Sequence, residues 1–193
     1  LGVSIPSGII SAVKRDTKTD YAARTFALTG ISLPEFFIGV LLILIFAIYL
    51  QVLPPSGYVD FFSNPLQNLK YMILPAIALG YPRAAVLSRL IRSSTLEVLQ
   101  ADYVRTARSK GLVERIVIYK HALKNALIPP VTMLGLQVGY LVGGSIIVEI
   151  IFAIPGIGSF GMASLLNRDY PRVQGFILVA STVFILASLI VDI

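Results

Sequence analysis

Long apolar runs alternate with short polar ones along this chain, and the apolar runs fix the elements. The run FFIGVLLILIFAIYL, Phe36 to Leu50, contains no charge. With its flanks it is long enough for the roughly 20 helical residues that cross a bilayer. The same reading along the chain predicts spans at about 28–53, 70–92 and 127–149, with partial spans at 1–13 and 175–193. The polar segments then become loops. KRDTKTDYAAR, Lys14 to Arg24, reads as a short mixed-charge loop, and QVLPPSGYVDFFSNPLQN, with three prolines, as an external loop with aromatic anchors. IPGIGSFG is too rich in Gly and Pro for a continuing helix. It reads as a second external loop, with a short re-entrant or surface helix near Phe160 to Leu166. The fold expected is all-α, a polytopic transmembrane helical bundle, as one domain over residues 1–193.

The most polar stretch, about 93–126, has a period of its own. Leu96, Leu99, Tyr103 and Ala107 recur at helical spacing before Gly111; Leu112, Ile116, Tyr119, Leu123 and Ala126 do so after it. Two short amphipathic helices meeting at a glycine turn are predicted. Arg105, Arg108, Lys110, Arg115, Lys120 and Lys124 stud the outward face. Such a hairpin suits either anionic headgroups or a groove on a cytoplasmic partner, and composition by itself favours the headgroups.

Composition confirms the class: 56% of the 193 residues are hydrophobic and 13% charged, against roughly 25% charged in soluble domains. Mean hydropathy is +0.83. This is an integral, multi-pass protein of a cell membrane. The net charge of +6 raises nucleic acid as a partner, but 13 of the 16 Lys and Arg lie in residues 14–24 and 83–124. That alternation between loops is the positive-inside pattern, which places those two segments in the cytoplasm and removes the nucleic-acid reading. The chain opens without Met and closes inside an apolar run, and is read as a fragment.

Candidate chemistry is sparse. No Cys occurs, and the single His121 sits between lysines, reading as a surface residue. No catalytic constellation and no metal-ligand set emerges, and no GxxxxGK[ST] loop is present. If ATP drives this protein, another chain binds it. Glu35, Arg83 and Glu149 are the charges expected nearest the hydrocarbon, hence pathway or gate candidates. Glu35 beside Pro34 also fits an interfacial place, and Arg83 also fits snorkelling toward the cytoplasmic interface. Gly135, Gly139 and Gly143 form a stripe suited to close helix packing. On these charges alone an ion-gradient-driven transporter or channel remains a rival.

DYVRTARSKGL, the basic linker and KHALKNALIPP resemble the cytoplasmic EAA-type loop of binding-protein-dependent ABC importer permeases, dipeptide/oligopeptide/nickel family, B-type (DppB/OppB-like) subunit. SLPEFFIGVLLILIFAIYLQVLPPSGY and LGLQVGYLVGGSIIVEIIFAIPGIGSFGMASLLNRDYPRVQG extend the resemblance over nearly the whole chain. It implies a type I ABC importer permease fold, of which this chain would be a fragment lacking the first span. It also implies that Ala101, Asp102, Tyr103, Arg105, Thr106, Ala107 and Gly111, with Glu97 and Lys110 at the edge, couple to an ATPase. Arg105 stands where Glu is usual and Lys124 where Pro is usual, departures of peptide-type members. The partners implied are a second permease subunit, two ATP-binding subunits that hold ATP and Mg, an extracytoplasmic solute-binding protein, and the lipid bilayer. No cofactor is implied in this chain. Peptides are the implied substrates, with nickel complexes, glutathione or other small solutes as alternatives.

Overall fold

The computed structural model describes residues 1–142 and 146–192, and every regular element among them is helical. The chain divides into two compact units, residues Leu1–Ser32 with Arg83–Leu134, and Leu33–Pro82 with Gly135–Ile193. It passes from one to the other beside Pro34, at Pro82 and at Gly135. Each of these residues weakens a helix locally, the prolines by removing a backbone donor and glycine by its entropy.

In the first unit, α1 (Ser4–Val13) and α2 (Lys18–Ser32) form a hairpin. Lys14 ends α1 and Asp16 takes a left-handed φ of 59°, which reverses the chain. The loop expected over Lys14 to Arg24 is therefore confined to the residues between Val13 and Lys18. The mixed charges concealed the helix start because one of them, Asp20, folds inward and accepts from Asp16 N at 3.0 Å.

The long helix α4 (Pro65–Leu99) contains both Pro75 and Pro82. Interior prolines of this kind are tolerated in membrane helices, where neighbouring groups re-satisfy the freed carbonyls. α4 and the segment Tyr170–Leu189 are each long and apolar enough to cross a membrane, and Lys18–Ser32 with Glu35–Tyr49 makes a third if the pair counts as one broken span. Pro34 supplies the break, in extended conformation at ψ 145°. The region expected to span at 127–149 holds α8 (Ile128–Val142) and α9 (Ile146–Ile151).

The second unit is organised on Phe152. α3 (Glu35–Leu42) continues as a wide, π-helical stretch, Ile43–Tyr49, and Ile38, Leu74, Ala78, Val148 and Phe152 form the buried core. A Cβ on Gly39 would lie 3.2 Å from the Phe152 ring, so glycine sets the close approach of α3 to Phe152, just beyond α9. Phe152 O also accepts from Gly57 N at 2.8 Å, anchoring the proline-rich loop over the core. The glycine-rich segment does contain a short helix, α10 (Ile157–Leu166), which starts three residues before the position read from sequence and packs Gly161 against Phe176 of α11 (Tyr170–Asp192).

Candidate docking loop and the clamp behind it

The stretch after α4 is a folded element. α4 ends at Leu99, Ala101 is extended (φ −66°, ψ 147°), and α5 (Asp102–Ser109) follows. Gly111, at φ +75°, turns the chain. α6 (Glu114–Ile116) then widens into a π-helical stretch, Val117–Ala122, before α7 (Leu123–Ala126). Val104, Ala107, Val117 and Ala122 are buried against one another, with Val98 and Leu99 packed on them.

The Gly111 turn stands where periodicity predicts it, but the buried face does not. Tyr103, Leu112, Ile116 and Tyr119, read as the apolar inner side, are exposed, and Val104, Val117 and Ile118 take their places. Two phase shifts account for this. The extended Ala101 restarts the helical count after α4, and the π-helical stretch inserts extra residue width after Ile116. Ala107, Leu123 and Ala126 are buried as predicted.

Polar contacts brace the turn. Arg108 grips Glu114 across it, with Nη2 donating to Oε1 at 2.7 Å and Nε to Oε2 at 3.2 Å, and Nη1 reaches Leu99 O at 3.4 Å. Asn125 Nδ2 donates to the Tyr103 hydroxyl at 2.9 Å, and Thr106 Oγ1 to Asp102 O at 2.9 Å. Asp102 is exposed, with Arg105 at 3.5 Å. Glu97, Lys110 and the Gly111 backbone are exposed as well. The tip so held presents Leu112, Val113, Ile116 and Tyr119, rimmed by Lys110, Arg115 and Lys120. His121, half-buried, lies in the widened stretch.

The Arg108 guanidinium holds the Glu114 carboxyl below the usual glutamate range. A carboxylate with a lowered folded pKa stabilises above its ordinary pKa, and that contribution is lost as pH falls through the lowered value. Amide protection at the Gly111 turn is accordingly expected to be level near neutrality and to fall in acid. Hydrogen exchange measured against pH checks this, and Glu114→Gln should flatten the dependence.

Behind the loop, α4 is fastened to the α1–α2 hairpin by a contact that sequence reading missed. Asp20 is fully buried. Its carboxylate receives Arg92 through Nε at 3.0 Å and Nη2 at 3.0 Å, Ser11 Oγ at 2.5 Å, and Asp16 N. Arg92 Nε also reaches Ser11 Oγ at 2.9 Å, and one turn earlier Ser7 and Ser88 share a hydrogen bond of 2.6 Å. Gly8 makes this possible, since a Cβ there would lie 2.7 Å from Ser88 O and from Ile91. A buried carboxylate is tolerable only when paired and hydrogen-bonded in this way. No local signal marks Asp20, because its partner lies 72 residues away.

The pathway candidates belong to other elements than the loop. Glu35 stands half-buried in the first turn of α3, and Arg83 half-buried just after Pro82. Glu149 accepts from Ser159 N at 2.6 Å, so its carboxylate serves the N-terminus of α10, where backbone donors and the helix dipole favour an anion. Gly156 leaves room for it: a Cβ there would fall on the carboxylate. Of the glycine stripe, Gly135 is half-buried, the surroundings of Gly139 fall outside those described, and Gly143 lies outside the described residues.

Residues 4–193 match the family of binding-protein-dependent transport system inner membrane components. The chain belongs to that family. It is 44% identical over 98% of its length to the dipeptide transport system permease protein DppB of Escherichia coli, of which it covers 63%. Against DppB of Alkalihalophilus pseudofirmus it is 42% identical, with the same coverage of each chain. The glutathione transport system permease protein GsiC of Escherichia coli is 46% identical over 97% of the chain and 58% of that relative. The chain thus spans somewhat under two thirds of the curated relatives it matches. Membership agrees with the resemblance read from the loop motif and its flanks, and its apolar helices are those of an inner-membrane component.

Proposed function

We propose that this chain forms half of the translocation pathway of an ATP-binding cassette importer for short peptides, and that the 93–126 loop couples it to a cytoplasmic ATPase. The observation that carries the reading is the braced tip at Gly111, an apolar patch held outward on its own small core. An element meant only to connect two spans needs no such core, whereas one that enters a cleft on a partner gains from being preorganised. The relatives named for dipeptide and glutathione transport support a peptide-like cargo, since glutathione is itself a tripeptide. Nickel complexes or other small solutes are the alternatives.

On this reading the chain has no catalytic site. ATP and Mg reside on two partner subunits, a second permease completes the pore, and an extracytoplasmic solute-binding protein delivers substrate. ATP draws the partner subunits together, the loop moves with them, and α4 and α8, joined to it on either side, change the side on which the cavity opens. ATP biases that equilibrium only through its differential affinity for the two states, expressed across this contact. Glu35 and Arg83 are the charges proposed to face the pathway.

Ile116→Asp tests the docking contact. It places a carboxylate in the exposed apolar tip without touching Val104, Ala107, Val117 or Ala122, so the loop should still fold. Co-purification of the ATP-binding subunit with the full-length permease is expected to fall at least tenfold. Undiminished co-purification would show that the tip is not the contact.

A further inference from the structure

The first unit carries a second charged feature that the coupling role does not use. Arg24 of α2 and Arg89 of α4 line one cavity of about 340 Å3, together with Ser93 and the apolar walls of Ala27 and Leu28. Arg92 is there too, but its charge is met by Asp20. Arg24 lies 5.8 Å from the centre of the Tyr21 ring, and neither Arg24 nor Arg89 has a carboxylate partner among the described residues. A second cavity, of about 460 Å3, shares Arg89 and Ser93 with the first and is otherwise apolar, walled by Val86, Leu90 and Met133.

We infer that this pair of cavities binds an anionic phospholipid, its phosphate between Arg24 and Arg89 and the start of an acyl chain along Val86, Leu90 and Met133. Three properties select that occupant. Two uncompensated guanidiniums match a phosphate, which they can engage with paired donors. The adjoining apolar wall matches hydrocarbon, which a free phosphate or a nucleotide lacks. The depth also fits: at 1.5 Å per residue, about 36 Å of helical contour separate Arg89 from Pro65 at the start of α4, against a hydrocarbon thickness of roughly 30 Å. Arg89 therefore reaches the headgroup layer at the end of α4 that leads into the docking loop. Basic pockets between helices on the cytoplasmic side are suited to anionic headgroups. The placement rests on the topology proposed above, in which the 93–126 loop is cytoplasmic.

The test uses the full-length permease in its assembled transporter, titrated with dioleoylphosphatidylglycerol or dioleoylphosphatidylcholine and read by native mass spectrometry. The intact protein should retain phosphatidylglycerol in preference to phosphatidylcholine. Arg24→Gln with Arg89→Gln should weaken that retention by about tenfold or more, from the loss of two charges at a headgroup. Arg24→Lys with Arg89→Lys should keep most of it, and Arg168→Gln with Arg172→Gln, which removes two exposed charges from the second unit, should leave it unchanged. Both arginines are exposed, and the yield of assembled complex verifies that the variants fold. Equal retention of the two lipids by the intact protein, or unchanged retention after removal of both arginines, would overturn the site. So would loss of the ATP-binding subunit in place of lipid, which would make this face a protein contact. The docking reading fails separately, through Ile116→Asp, so the two outcomes are distinguishable.

Discussion

Asp20→Ala is expected to destabilise the first unit by roughly 3–5 kcal/mol, because it strands the half-buried Arg92 guanidinium without its anion. The pair is bidentate and shares Ser11, so several hydrogen bonds go together, and α4 loses its fastening to the α1–α2 hairpin. The double replacement Asp20→Ala with Arg92→Leu removes both charges and should recover part of the loss, since an apolar pair can stand in for a buried ion pair. Thermal unfolding of the detergent-solubilised permease, followed by loss of its monodisperse peak, measures both variants. If Asp20→Ala costs no more than the double replacement, the two residues are not energetically coupled and the clamp is incidental.

Gly111→Val and Gly111→Asp should separate the folding of the loop from its use. At φ +75° an L-residue pays roughly 1–2 kcal/mol of backbone strain, and a β-branched residue more. Asp tolerates the left-handed region better, and a Cβ at Gly111 would meet nothing within 4 Å, so steric crowding plays no part. Gly111→Val is therefore expected to open the turn, seen as faster amide exchange at Val104 and Val117. Gly111→Asp should leave the turn formed and the protein inserted while setting a carboxylate beside Leu112 and Val113. Uptake per ATP hydrolysed, in proteoliposomes of the complete transporter, should then drop by at least tenfold. A normal ratio with Gly111→Asp would remove the tip from the coupling step.

The two variants show how far the loop was legible. Gly111 is a local signal, a glycine between two periodic segments, and local signals survive in a sequence. The choice of inner face was not local. It depended on one extended residue, Ala101, and on the widened turn at Val117–Ala122, each of which shifts the helical count without altering composition. Reading Tyr103, Ile116 and Tyr119 as the inner side followed from an unbroken 3.6-residue period that the backbone does not keep. The corrected face gives the docking proposal its apolar tip, which the sequence had folded inside.

Glu149 and Asp20 illustrate the same limit for charge. By sequence, Glu149 was an acid next to hydrocarbon and Asp20 one acid in a solvated loop. The fold gives the first to the N-terminus of α10 and buries the second under Arg92. What the sequence determined by itself was whatever depends on composition and near neighbours: a membrane protein, its basic segments, the glycine turn, the short helix before Leu166, and the family motifs. What only the tertiary structure decided was which side chains are out of water and which charges meet. Burial and pairing are properties of elements packed together, and the partners that create them lie many residues apart.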